Sequence, residues 1–313
     1  MYFSLHALAV PIVKRSVNGP VISSDFPDPS IRRVGDTWYA FGTTVNNGAI
    51  HVQIAKSSDF QSWTVTGKDA LPNLPSWVYK DKPLVWAPDV IQNDAGKWVL
   101  YFSASKDAKY HCIGTATSDV IEGPYTPQDA AWACPLDQGG AIDASSFVDS
   151  DGSRYVTYKI DGNAKGNGGV CNNGVAPIQS TPIMQQKVAG NGIDKIGGAY
   201  QLLDRSDGDG PLIEAPSIGK LADGRYVLFF SSNCYSTINY DVTYALADSV
   251  SGPYTKHGPL LVSQGKYGLW SPGGASVTAD ATKIVFHAYL NAGSSIRGMY
   301  TADITFDGTT GIA

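Results

Sequence analysis

The sequence predicts an all-β fold, a five-bladed β-propeller with four antiparallel strands per blade, on three observations. Five aromatic, β-branched runs recur about every 55–70 residues, and a period of that size marks repeat architectures. Each run sits in a unit of short strands that resembles its neighbours, and radial repetition of four-stranded sheets is the propeller plan. Amphipathic helical periodicity is nearly absent, whereas Gly (34) and Pro (18) are plentiful, as many strands joined by tight turns require. A β-sandwich or a solenoid fits this spacing less well.

The units read as follows. The aromatic runs cover residues 37–44, 97–103, 154–159, 225–231 and 283–289. Each follows a Gly/Asp turn signal, such as Val-Gly-Asp before the first and Asp-Ser-Asp-Gly before the third, so each reads as a strand. Upstream of each lies another short strand, beginning near Asp28, Asp89, Asp143, Glu214 or Gly274. Third strands are expected at 51–55, 111–116, 182–186, 242–246 and 298–302. Three segments, SDFQSWT, SDVIEGPYT and DSVSGPYT, occupy equivalent places as a fourth element. Repeat one begins late and repeat five ends near residue 313, so the ring is expected to close by pairing an N-terminal strand with the last blade.

Charged residues are only 16% of the chain, against roughly 25% in typical soluble domains, and the net charge is −5. That balance argues against a nucleic-acid or anionic-membrane partner, whereas a neutral polysaccharide would be indifferent to it. A monomer is expected. Cys112, Cys134, Cys171 and Cys234 have no C-x-x-C spacing, which argues against a zinc site. Of their three possible pairings, Cys112–Cys134 with Cys171–Cys234 is the first choice; four free buried thiols are the alternative. Residues 1–20 read as an N-terminal arm or the remnant of a signal and pro-segment cut after Lys14-Arg15, and 21–313 as one propeller. The first residues make a poor signal peptide as they stand, lacking a positive start and holding His6 and Pro11. No run approaches a membrane-spanning length, and no Asn-x-Ser/Thr sequon occurs.

Three acids begin inner strands at what looks like one repeat position: Asp28 in Asp-Pro-Ser-Ile, Asp143 in Ile-Asp-Ala-Ser-Ser-Phe and Glu214 in Glu-Ala-Pro-Ser-Ile. The innermost strand of each blade lines a propeller's central channel, so shared register would gather all three at one channel mouth. A single acid at a strand start is usually a turn or cap residue bonding local N–H groups. Caps need no register between repeats, so three in register favour a site. Asp89, in Trp-Ala-Pro-Asp-Val, is read as structural. Clustered carboxylates suit glycoside hydrolysis, in which one donates a proton and another activates water.

Four ordered segments, SDFPDPSI, VWAPDV, AIDASSFVDSDG and IEAPSI, resemble the signature segments of glycoside hydrolase family 43, over about residues 22–307. The resemblance implies an inverting mechanism on a five-bladed propeller. Asp28 matches the general base, Glu214 the general acid, and Asp143 a third carboxylate that orients the acid and favours its protonated form. His287 matches a channel histidine that faces water or a bound cation, calcium being one candidate; its alternative is a satisfied core histidine. No cofactor is required for the chemistry. Arg297 matches an arginine that reaches sugar hydroxyls, against the alternative of a solvated edge charge. Trp86 resembles the aromatic wall of the first sugar subsite, against packing between blades, and Phe41 is placed with these substrate-binding residues. Gly274 stands where many members carry histidine, which weakens any analogy for how the fifth blade holds a metal or sugar.

The family implies plant cell-wall oligosaccharide or polysaccharide substrates and an extracellular location. The intact Asp28 argues against its galactanase branch, and the lack of a β-sandwich domain against its two-domain xylosidases. Loops at 77–85 and 162–174 are expected to shape the pocket and close one end. The expected activity is therefore exo release of xylose or L-arabinofuranose, as a β-xylosidase or α-L-arabinofuranosidase. An endo-1,5-α-L-arabinanase is the alternative within the class, and a non-catalytic carbohydrate-binding propeller the alternative outside it.

Overall fold

The computed structural model describes residues 17–45 and 48–313. Its first strand, β1 (Asn18–Ile22), belongs to the last blade. Blade one holds β2 (Ser30–Val34), β3 (Thr37–Gly42), β4 (Gln53–Ser57) and β5 (Thr64–Asp69). Blade two holds β6 (Trp86–Gln92), β7 (Trp98–Ser105), β8 (His111–Ser118) and β9 (Thr126–Pro127). Blade three holds β10 (Ala141–Val148), β11 (Arg154–Ile160), β12 (Ile183–Val188) and β13 (Lys195–Leu203). Blade four holds β14 (Ile213–Lys220), β15 (Tyr226–Ser232), β16 (Thr243–Ala247) and β17 (Thr255–Lys256). Blade five holds β18 (Trp270–Val277), β19 (Lys283–Tyr289) and β20 (Arg297–Asp303), with β1 paired to β20 as its outermost strand. The expected closure is therefore present. It begins at Asn18, inside the segment expected to be an arm; residues 1–16 lie outside the described residues.

The continuous aromatic runs have a direct cause. Successive side chains on a strand point to opposite faces, and the second strand of each blade is covered on both. Along β15, Val227 and Phe229 pack against blade five, while Leu228 and Phe230 pack against blade three. Along β7, Leu100 and Phe102 face blade one, while Val99 and Tyr101 face blade three. The apolar core is thus five clusters, one at each blade interface, the fifth joining Ile31 and Ala40 to Val285, Met299 and Ile22. A fully buried Phe or Leu contributes roughly 1.5–3 kcal/mol, so each second strand anchors two interfaces at once.

Two expectations fail on this packing. Phe41 is fully buried in the cluster between blades one and two, on the face of β3 turned to blade two, and does not reach the cleft described below. The 77–85 loop does not line the cleft either. Val78 and Val85 are core residues and Trp77 stacks on Phe102, with ring centroids 6.2 Å apart. Both cysteine pairs form as first chosen, Cys112–Cys134 and Cys171–Cys234.

Candidate active site

Four of the five inner strands, β6, β10, β14 and β18, carry the same irregularity near their first residues, and in blade one its counterpart is Asp28, just before β2. In β6, Trp86 pairs with Ser103 and Asp89 with Tyr101, so two residues of β6 face one of β7 and one is extra. The same bulge interrupts β10, β14 and β18. Its first residue is left-handed in every blade: Asp28 (φ 51°), Ala87 (41°), Asp143 (59°), Ala215 (52°) and Gly274 (58°). That conformation disfavours L-residues by roughly 1–2 kcal/mol, and bulges of this kind re-aim side chains beside active sites. Here they turn Asp28 and Asp143 into a cleft of about 740 Å³ at the channel mouth.

The five-fold device corrects the expected register. Asp28 and Asp143 are equivalent, but blade four has Ala215 at that position. Glu214 sits one residue earlier, in the place that Trp86 takes in blade two. Asp89 lies two residues past its bulge position. It is buried, accepts from Arg32 Nη2 at 3.0 Å and from the Ser146 N–H at 2.9 Å, and ties three blades together away from the cleft.

Each bulge N–H is received by a polar residue that closes the second strand of the preceding blade. Thr43 Oγ1 accepts from Ala87, Ser103 Oγ from Asp143, Ser231 Oγ from Gly274, and His287 Nδ1 from Asp28, at 2.8, 3.0, 3.0 and 3.0 Å. Blade three breaks the rule, because Lys159 stands there and cannot accept. Its Nζ instead donates to Glu214 Oε2 at 3.0 Å and pairs with Asp161 at 3.1 Å. The orphaned Ala215 N–H turns to Asp143 Oδ2 at 2.9 Å. One lysine in an otherwise hydroxyl-or-imidazole position thus draws Asp143 and Glu214 into a pair.

The carboxylates meet different surroundings. Burial would push Asp28 up, but the Arg297 charge, with contacts to His287 and Thr43, outweighs it and holds Asp28 well below the usual carboxylate range. Thr43 Oγ1 donates to its Oδ2 at 2.7 Å, and Arg297 Nη1 lies 3.7 Å from its Oδ1. Asp143 is pushed up to about 8, first by burial and then by the negative charge of Glu214. Glu214 also accepts from the Tyr240 hydroxyl at 2.8 Å. Tyr240 fixes the neighbouring sequence in turn: a Cβ on Gly273 would lie 1.9 Å from its ring, so only glycine fits there.

Trp86 and Arg297 both line the cleft, as expected. Trp86 stacks on His111 with centroids 3.8 Å apart, and burial holds His111 down at about 4, so the stack is neutral. The 162–174 segment supplies wall residues, and the Cys171–Cys234 bond ties it to the loop carrying Tyr235. Lys159, Tyr240 and Thr43 were not anticipated. The available signal was the polar residue ending each aromatic run, which reads Thr43, Ser103, Lys159, Ser231 and His287 across the repeats.

His287 is buried and, by burial first, kept below its ordinary value in the neutral form. With Nδ1 accepting from Asp28, the ring proton sits on Nε2, which has no partner among the described residues. A neutral ring in this tautomer donates, whereas a metal needs the lone pair. A Cβ on Gly274 would lie 2.7 Å from the same ring, so no second side chain can enter there. No group of three or more His, Cys, Asp or Glu converges for a metal among the described residues. The set does not fit a cation ligated directly by His287.

Comparison with known proteins places this geometry. The family model for glycosyl hydrolases family 43 matches residues 17–303. An extracellular endo-α-(1→5)-L-arabinanase of Thermotoga petrophila is 32% identical over 162 residues, 42% of this chain and 33% of its own. Extracellular endo-α-(1→5)-L-arabinanase 1 of Bacillus subtilis is 28% identical, covering 84% of this chain and 79% of its own. The extracellular exo-α-(1→5)-L-arabinofuranosidase ArbA of Cellvibrio japonicus is 26% identical, covering 91% and 84%. The chain therefore spans only a third of the first of these relatives. A solved thermostable family-43 glycoside hydrolase superimposes with a TM-score of 0.73 at 24% identity, covering 92% of each chain, and supports the fold.

Proposed function

The chain belongs to glycosyl hydrolase family 43, and from that premise we propose that it is an inverting glycosidase releasing xylose or L-arabinofuranose from arabinan or xylan. Asp28 is the general base in this reading. It is kept ionised by Arg297 and Thr43 and takes a proton from the attacking water. Glu214 is the general acid, and Asp143 is its partner. Burial, and then the negative charge of Glu214, push Asp143 up to about 8, so Asp143 holds a proton near neutral pH beside the acid. Lys159 and Tyr240 donate to both Glu214 oxygens, and the Ala215 N–H holds the Asp143 carboxyl beside the acid. After cleavage the same two donors receive the ionised Glu214. The observation that carries the reading is this separation: one carboxylate pushed down and another pushed up in one cleft, as acid–base hydrolysis requires.

The endo-1,5-α-L-arabinanase reading is favoured by one observation, the Bacillus subtilis relative of that name that aligns with 84% of this chain. Secretion is supported by the word extracellular in the names of these relatives and by the two disulfides. The test is product analysis on linear arabinan, arabinoxylan oligosaccharides and two aryl glycosides, with the anomeric form of the first product read by proton NMR. Monomeric pentose of inverted configuration supports the proposal. Mid-chain fragments support the endo reading, and no cleavage of any pentoside removes both.

A further inference from the structure

A second cavity, of about 280 Å³, opens beside the cleft between the blade-four loop after β15 and the blade-five loop after β19. Trp270 begins β18 and Tyr289 ends β19, and the two are cross-strand partners. They therefore stand at the same end of blade five as the bulge, on the face that carries the cleft. The partition between the cavities is thin. Tyr289 is also the cross-strand partner of Arg297, whose guanidinium lies 5.3 Å from the Tyr235 ring centroid, and Arg297 and Tyr235 line the cleft. The next residue in the chain, Ser236, lines the second cavity.

The lining has a definite chemistry. No charged residue contributes to it. Trp270 and Tyr289 are half-buried aromatic faces, and Ile238 is 48% exposed. The Trp270 indole N–H, the Tyr289 hydroxyl and the Asn291 amide make no hydrogen bond to any described residue, whereas the Ser271 hydroxyl is already used by the Thr237 carbonyl. Amphipathic rings with free polar tips and one free amide, without charge, match a pyranose or furanose ring, which offers an apolar face and a rim of hydroxyls. An anion or a basic peptide would find no counter-charge.

We propose that this cavity is a remote subsite for a sugar unit of the same neutral pentose chain whose scissile bond lies at Asp28 and Glu214, with Trp270 as stacking platform and Asn291 as hydroxyl reader. This rests on the function proposed above. It assigns the enzyme chains longer than a disaccharide and a preference that grows with chain length.

The experiment compares Trp270→Ala, Tyr289→Phe and Asn291→Ala with the parent on arabino- and xylo-hexasaccharides, disaccharides and aryl pentosides. Asn291 is exposed, so its variant guards against a folding defect in Trp270→Ala. The expected result is a fall in kcat/KM of about tenfold on a hexasaccharide in Trp270→Ala, the size of one aromatic contact, with aryl pentosides within about twofold. Equal losses on long and short substrates, or unchanged hexasaccharide hydrolysis in both Trp270→Ala and Asn291→Ala, overturn the subsite. If the parent cleaves nothing, tryptophan fluorescence on adding each hexasaccharide still decides. A change abolished by Trp270→Ala keeps the subsite while the enzyme reading falls, and no change removes it.

Discussion

Replacing Asp143 by Asn removes the like charge from the acid pair while keeping a carbonyl oxygen to receive the Ala215 N–H, so the bulge itself should survive. In the parent, burial and the charge of Glu214 push Asp143 up to about 8. At pH 7 about 90% of molecules would therefore carry the proton. The expected loss in kcat/KM on an unactivated disaccharide is about 10²-fold or more at pH 7, the usual size of an acid–base contribution, and smaller toward pH 5. The assay is a pH–rate profile on that substrate beside one on a dinitrophenyl pentoside, which needs no acid and should show a much smaller loss. A loss of constant size across pH would refute the proton-holding role and leave Asp143 as a spacer.

Glu214→Gln should lose about 10²–10⁴ in rate on poor leaving groups and far less on activated aryl glycosides; equal losses in steady-state kinetics would contradict the acid assignment. Gly274→Ala would set a Cβ 2.9 Å from Asp28 Oδ1 at φ 58°, and should cut kcat/KM at least about tenfold through a displaced base; full activity would show that Asp28 tolerates the shift. Opening the rim bond with Cys171→Ser plus Cys234→Ser, whose partners are 63 residues apart, should lower unfolding free energy by about 4 kcal/mol in denaturant titration. Because Asp143 is raised on folding, its contribution to stability is full below its unfolded value of 3.8 and is lost as pH rises through about 8. The melting temperature of Asp143→Asn should accordingly fall less than that of the parent between pH 4 and 8.

The blades were legible because a strand covered on both faces is apolar along most of its length, and the second strands β3, β7, β11, β15 and β19 all read so. The outer strand β13 was not, since Lys195–Leu203 starts KIGG and carries none of the Gly-Pro-Tyr signature found near β9 and β17. That Asp28 and Asp143 line one cleft was legible from their motifs. The phase of Glu214 was not, because the one extra residue of a bulge leaves no mark in the motif and hides which residue is turned inward. Phe41 was misplaced for the same reason that β3 was found: its aromaticity signals burial between blades, not an open wall. Lys159 was overlooked because a lone lysine in an aromatic strand reads as an interruption, and only comparison with Thr43, Ser103, Ser231 and His287 shows that it replaces an acceptor.

The seam where β1 meets β20 has a consequence for the order of assembly. Asp28 follows that strand by a few residues, and its N–H is bonded to His287, 259 positions later; the Phe26 N–H reaches the Arg297 carbonyl, and the Arg297 N–H reaches Asp25. Contacts of such separation carry a high loop-closure cost. The proposed base is therefore seated by contacts that only the closed ring provides, and a chain interrupted before the fifth blade would lack His287 and Arg297 beside it. Catalytic power in this architecture is a report that the circle has closed.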